Sequence, residues 1–168
     1  MPNVFGFAGF SGVGKTTLIE QLLPLLIGQG VRVSVIKHAH HAFDIDRPGK
    51  DSFRHREAGA YEVLITANKR WVLMHELRDE EEPSLEEQIQ RLSPCDLVIV
   101  EGFKRSNIPK IEIWREANNK PMLYPEDPNI IAVACDVEID CGGLPWLPLN
   151  NPPAVAQYIM DRFVTKPQ

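Results

Sequence analysis

Residues Gly9-Phe10-Ser11-Gly12-Val13-Gly14-Lys15-Thr16 match the phosphate-binding pattern G-x-x-x-x-G-K-[ST] at every position. The pattern is also a folding constraint, because it works only as the bend between a buried strand and a helix. Val4-Phe5-Gly6-Phe7-Ala8 leads in as an apolar run, and Thr17-Leu18-Ile19-Glu20-Gln21-Leu22-Leu23 leads out with helical character. The glycines let the chain curl so that successive N–H groups converge on an anion, and the helix dipole adds to that attraction. Gly9, Ser11, Gly12, Val13, Gly14, Lys15, Thr16 and Thr17 are therefore the expected phosphate cradle. Lys15 supplies a point charge to the terminal phosphates, and the Thr16 hydroxyl is a ligand for Mg²⁺.

The rest of the chain alternates strand-like and helical runs, which predicts an α/β fold of the P-loop NTPase type, a mostly parallel sheet flanked by helices. Val31–Ile36 follows Gly30 as a second strand, and Pro24 is expected to kink or end the first helix. Asp51-Ser52 reads as a helix cap, with Gly59 as the stop. Tyr61–Ala67 and Arg70–Glu76 are joined only by Asn68-Lys69, so they predict an antiparallel hairpin inserted at about residues 60–77 of one domain spanning 1–168. Ser84 and Glu87 form a capping-box pattern before Ile89. Asp96–Glu101 and Asn129–Ala134 read as buried strands, and Lys110–Arg115 alternates as a half-exposed strand does. Pro152–Phe163 is the expected last helix, and the prolines between 121 and 153 predict irregular connections.

A chain of 168 residues is large enough for a single sizeable core. Its net charge of −5 argues against nucleic acid or an anionic membrane as a general partner. No apolar run is long enough to span a bilayer, and the N-terminus enters a strand pattern directly. Cys95, Cys135 and Cys141 are odd in number and lack a C-x-x-C pair, which suits a reducing compartment and an expected cytoplasmic location.

A P-loop site needs a carboxylate on its metal side, delivered from the end of a neighbouring buried strand. Glu101 ends such a strand and precedes Gly102, so it is the expected metal-side acid with Thr16. Asp96 lies at the wrong end of the same strand. The polar stretch from Lys37 to Lys50 leaves two readings open. His40 and His41 with Asp44 or Asp46 form a reasonable transition-metal set, although the spacing fits no standard zinc arrangement. Alternatively, Asp46 or Asp51 orients water or Mg²⁺ while Lys37 and His38 meet an anion. On the second reading the catalytic set is Lys15, Glu101, Asp46 and Asp51.

Three further segments narrow the superfamily. Ile36-Lys37-His38-Ala39-His40-His41, then Asp46-Arg47-Pro48-Gly49-Lys50-Asp51-Ser52 with Ala58-Gly59-Ala60, then Val100-Glu101-Gly102-Phe103-Lys104 occur in this order behind the P-loop. Together they resemble the MobB family of molybdopterin-guanine dinucleotide biosynthesis adapter proteins, from the first strand to about Asp136. The resemblance implies a GTP-binding protein with Mg²⁺ and weak GTPase activity. It also implies partnership with the molybdenum cofactor guanylyltransferase and other enzymes of that cofactor, with molybdopterin itself as a candidate ligand. Family members are homodimers in which strands outside the nucleotide core build the interface, a purpose that would suit the hairpin.

Guanine preference is not carried by a standard motif. Asn68-Lys69-Arg70-Trp71 lacks the aspartate of N-K-x-D and lies in the hairpin turn, and Asp136 is the remaining candidate base-reading carboxylate. The loop has no second lysine, since positions 10 and 11 are Phe and Ser. A small-molecule kinase, with Arg54-His55-Arg56 as its lid, and a scaffold that binds nucleotide without hydrolysis are the rival readings.

Overall fold

Leu97-Val98-Ile99-Val100 is apolar without interruption because its strand has no solvent face. In the computed structural model, which describes residues 1–39 and 43–164, this strand is β5 (Leu97–Glu101) of a six-stranded sheet. The others are β1 (Asn3–Ala8), β2 (Val33–Lys37), β6 (Lys110–Trp114), β7 (Ile130–Cys135) and β8 (Trp146–Pro148). Their order is β2-β5-β1-β6-β7-β8, and every pairing is parallel. Alternate residues face opposite layers. Phe5, Phe7, Leu97, Ile99, Ile111 and Ile113 pack with Leu18, Leu22 and Leu26 of α1 (Lys15–Gly28) and Val155, Ile159 and Phe163 of α4 (Pro152–Phe163). On the other face, Val98, Val100 and Ile36 meet Leu85 and Ile89 of α3 (Leu85–Gln90).

The chain separates into two compact units, one of Met1–His38 with Leu85–Gln168 and one of Ala39–Ser84. The second contains α2 (Asp51–Glu57) and the hairpin of β3 (Glu62–Ala67) and β4 (Arg70–His75), registered from Glu62↔His75 to Ala67↔Arg70 as the Asn68-Lys69 turn requires. Its charged framework centres on Arg56. That guanidinium bonds Asp44 at 2.9 Å and Glu76 at 2.9 Å and lies 5.4 Å from the Phe53 ring centre.

Several expectations are corrected. Pro24 does not end α1, which runs on to Gly28: Pro24 and Glu20 are both on the exposed side while Leu22 and Leu26 hold the buried face down. Asp51 is inside α2, not its cap. Lys50 occupies the cap position without a side-chain bond, and the Ser52 hydroxyl donates to Asp46 at 2.9 Å. β8 was hidden by Pro145 and Pro148, but proline is tolerated in a strand at the sheet edge.

β6 is not half-exposed. Lys110 and Glu112 are 2% and 1% accessible, because β6 is interior and residues 123–127 cover its polar side. Lys110 pairs with Asp127 at 2.8 Å, and the Glu112 carboxylate accepts the N–H groups of Leu123 at 2.7 Å and Tyr124 at 2.9 Å. Burial raises the Glu112 pKa, and those two hydrogen bonds oppose the shift. Among the described residues, no helix is long and apolar enough to cross a membrane, and all three cysteines are free.

Two outcomes follow. Glu112→Leu leaves the part-buried N–H groups of Leu123 and Tyr124 without their acceptor, at up to about 1–3 kcal/mol each, so the midpoint of urea unfolding should fall. His75 is held protonated by the Glu62 carboxylate, against some burial, with Glu80 adding to the effect. The stabilisation this gives the hairpin is full below the unfolded histidine value of about 6.5. It is lost as pH rises through the higher folded value, and the protection factors of the β3 and β4 amides, corrected for intrinsic exchange, should fall over that range.

Candidate phosphate-binding site

The register of the sheet assembles the site. Phe7 pairs with Glu101, and Lys37 pairs with the same Glu101 from the far side, so β1, β2 and β5 end together. The loop after β1 then turns over the sheet edge. Gly9 has φ +147°, and a Cβ there would stand 2.6 Å from the Ile113 carbonyl oxygen and 3.0 Å from Val13. Only glycine lets the backbone pass this close to β6. Val13 is 2% accessible and plugs the loop into the core, leaving Ser11 and Gly12 exposed above it. Gly14, at φ 97°, starts α1.

Lys15, Thr16 and Glu101 converge as the sequence anticipates. The Thr16 hydroxyl donates to Glu101 Oε1 at 2.7 Å, and Lys37 Nζ lies 3.6 Å from Glu101 Oε2. Lys15 Nζ folds back to donate to the carbonyls of Gly9 at 2.9 Å and Phe10 at 2.8 Å. Its pKa is lowered, first by burial and then by the like charges of Lys104 and Lys37, while Glu101 pulls it up. Lys15 thus feels one carboxylate and two further ammonium groups, a net positive field that favours an incoming anion. Asp96 is excluded as expected. It caps the start of β2, accepting the Arg32 N–H at 2.8 Å and pairing with its guanidinium at 3.3 Å.

The turn after Glu101 is locked to the end of β2. The His38 N–H donates to the Glu101 carbonyl at 2.8 Å, and the His38 and Phe103 rings lie 4.7 Å apart. A Cβ on Gly102, at φ +104°, would meet His38 Cβ at 2.8 Å. His38 therefore positions the Glu101–Lys104 turn.

Asp46 and Asp51 belong to the other unit. Asp46 is tied into its own loop, accepting from the Arg47 N–H and the Ser52 hydroxyl at 2.9 Å each, with Arg56 at 3.6 Å. Asp51 is exposed in the first turn of α2. His40 and His41 lie outside the described residues. Asp44, their suggested co-ligand, is held ionised by the Asp46 N–H and by Arg56, and no metal-ligating cluster occurs among the described residues. Arg56 is no lid, since Asp44 and Glu76 occupy it.

On the opposite side of the loop the structure adds a residue that the sequence reading passed over. Arg115, just beyond β6, donates from Nε to the Val13 carbonyl at 3.1 Å and lies 3.5 Å from Asp136. The signal was available, because Arg115 ends a parallel strand at the ligand edge just as Glu101 does.

A family model described as molybdopterin guanine dinucleotide synthesis protein B, MobB, matches residues 4–136. The chain belongs to the MobB family. It is 40% identical over 164 residues to the molybdopterin-guanine dinucleotide biosynthesis adapter protein of Escherichia coli K12, covering 96% of this chain and 93% of that protein. The protein of the same name from Haemophilus influenzae is 43% identical over 158 residues, covering 93% and 86%. A crystal structure of molybdopterin-guanine biosynthesis protein B superposes with a TM-score of 0.74 at 27% identity, covering 94% of this chain and 98% of that one. The Bacillus subtilis MobB structure shares the fold, with a TM-score of 0.79 at 23% identity over 98% and 99% of the two chains.

The loop geometry separates its glycines. Gly9→Ala forces a Cβ against backbone and should cost about 1–3 kcal/mol from overpacking on top of the backbone strain. A Cβ at Gly12 meets nothing within 4 Å, so Gly12→Ala should carry only the left-handed backbone cost of about 1–2 kcal/mol. Urea unfolding of the two variants side by side checks the order.

Proposed function

We propose that this MobB protein is a GTP-binding adapter with slow GTPase activity that assists the guanylyltransferase attaching GMP to molybdopterin. The observation that carries the nucleotide reading is the meeting of Thr16, Glu101 and Lys15 above a glycine loop that tolerates no side chain at Gly9. A hydroxyl and a carboxylate oxygen are the hard donors that Mg²⁺ takes, so Thr16 and Glu101 would hold the ion. The ion would supply charge neutralisation at the terminal phosphates. Lys15, freed from the Gly9 and Phe10 carbonyls, would turn to phosphate, and Lys37 and Lys104 would add positive charge. Of Asp46 and Asp51, Asp51 is the one left available to act on a ligand or a water, since Asp46 is bound by Arg47, Ser52 and Arg56.

Slow turnover agrees with this residue set. The described loops after β1, β2 and β5 supply no water-orienting glutamine, one of the parts on which fast phosphoryl transfer to water depends. The kinase reading loses Arg56 from its Arg54-His55-Arg56 lid, because Arg56 is bound by Asp44 and Glu76.

The adapter role follows the names carried by the relatives and one surface of this chain. The outer face of the hairpin carries the cross-strand pairs Leu64↔Leu73 and Thr66↔Trp71, with Leu64, Leu73 and Trp71 at 60%, 46% and 65% accessibility. A contiguous exposed apolar face of this kind marks a protein contact. In this reading a second copy of the chain covers it, giving a homodimer in the cytoplasm, where the three cysteines stay reduced.

Lys15→Ala should lower GTP affinity by roughly ten- to hundredfold, the worth of charge-assisted hydrogen bonds, with an unchanged circular dichroism spectrum. Equilibrium dialysis showing wild-type GTP binding in that variant would sink the nucleotide reading. Glu101→Gln should remove the Mg²⁺ dependence of binding and most of the slow phosphate release. If wild-type protein releases no phosphate from GTP, it is a binding scaffold instead.

A further inference from the structure

We propose that Arg115 is a positioning residue of the phosphate site: by holding the Val13 carbonyl outward, it aims the Gly14 N–H into the glycine loop. This rests on the reading of the P-loop as a triphosphate site. A trans peptide is planar, with its C=O and N–H on opposite sides, and no peptide bond is cis among the described residues. The peptide joining Val13 to Gly14 can therefore offer an anion either its carbonyl or its N–H, and only the N–H attracts one. Gly12 and Gly14, at φ 82° and 97°, flank this peptide. Glycine resists a backbone flip very little, so the motif by itself leaves the choice open.

Two holds make the choice. The Val13 side chain is buried in the core of the sheet unit, and its carbonyl accepts the Arg115 Nε–H at 3.1 Å. With Val13 held at both places, the Gly14 N–H faces away from Arg115, and among the described residues no acceptor takes it. The following peptide is set by the helix. Its carbonyl, that of Gly14, accepts the Leu18 N–H at 3.0 Å as α1 begins, which turns the Lys15 N–H towards the loop. Lys15 thus owes its N–H direction to a local bond, whereas Gly14 owes its own to an arginine 102 residues from Val13.

Arg115 is itself held. Its Nη1 lies 3.5 Å from Asp136 Oδ2, and Asp136 Oδ1 accepts the Glu116 N–H at 3.1 Å. The two residues follow β6 and β7, whose register pairs Trp114 with Cys135. Both Asp136 oxygens are engaged, so Asp136 orients the guanidinium and leaves Nε to the loop. That the bond comes from Nε decides what a substitution does. Glutamine carries its amide nitrogen at the chain position of Nε, whereas lysine has a methylene there and its charge one atom farther out.

The test titrates wild type, Arg115→Ala, Arg115→Gln, Arg115→Lys, Asp136→Asn and Lys15→Ala with inorganic tripolyphosphate and with GTP, each with Mg²⁺, by calorimetry. Arg115→Ala should weaken both ligands by the same factor, about tenfold, the worth of one hydrogen bond to a charged group. Arg115→Gln should recover most of that loss and Arg115→Lys should not, although lysine keeps the charge. In NMR spectra the Gly14 amide proton should move downfield with tripolyphosphate in wild type and Arg115→Gln, and stay in place in Arg115→Ala. Asp136→Asn, which keeps an acceptor for Glu116 but loses the pair with Arg115, should fall between wild type and Arg115→Ala. Lysine binding as tightly as glutamine would show that Arg115 acts through its charge, and a loss confined to GTP would show that it touches the nucleoside; either overturns the proposal. Should the Arg115 variants fail to fold, wild-type affinity in Asp136→Asn overturns it instead. If Lys15→Ala abolishes binding while every Arg115 variant binds as wild type does, the positioning role is wrong and the P-loop reading stands. If Lys15→Ala binds both ligands normally, the P-loop reading falls and the role of Arg115 with it.

Discussion

The parallel pairing of β1 with both β5 and β6 is the constraint on which the rest depends. Phe7 opposite Glu101 and Ala8 opposite Glu112 set the height at which β1 ends relative to its neighbours. Slipping either register by one residue would turn every side chain of that strand to the opposite layer, setting Phe5 and Phe7 against the wrong helices. Core packing therefore fixes where the glycine loop begins. That height in turn decides that Glu101 is within a hydrogen bond of Thr16 and that Gly9 slides past Ile113 with no room for a methyl group. The site is accurate because it is a consequence of the core.

The same pairing explains why β6 carries charge inside the protein. An interior strand has no solvent face, yet Lys110 and Glu112 lie on it. Each is matched to the segment that follows, Lys110 to Asp127 and Glu112 to two backbone N–H groups. Purely apolar residues there would cover area equally well but would leave the Leu123 and Tyr124 N–H groups without acceptors. These bonds hold the return of the chain from β6 to β7, so Arg115 and Asp136 at the ends of those strands stay in register with the loop.

Some of this was legible in the sequence because local and global signals agree. The glycine loop, the uninterrupted β5 ending in Glu101 and the tight Asn68-Lys69 turn each have a single physical meaning. The failures share a cause too. An early end at Pro24 was read by propensity, but its cost falls on an exposed turn while the buried face anchors the helix. Alternation along β6 was read as exposure, although a polar residue can alternate inward when a later segment supplies its partner. β8 lies between prolines and is recognisable only as the edge of an existing sheet. Arg115 belongs to no motif, and its importance comes from Val13 and Asp136, far away in the chain.

The two units are stabilised in different ways, and that difference bears on what each can do. The sheet unit buries phenylalanine, leucine and isoleucine on one face and valine and isoleucine on the other. The Ala39–Ser84 unit has Met74 as its one buried apolar side chain among the described residues and relies on Arg56 with Asp44 and Glu76. Ion pairs this close to water contribute little each, so such a unit gains from having its apolar outer face covered. Leu64, Trp71 and Leu73 stand on that face. In the proposed reading the sheet unit would hold the nucleotide, and a second copy of the chain would cover the hairpin face of the other unit.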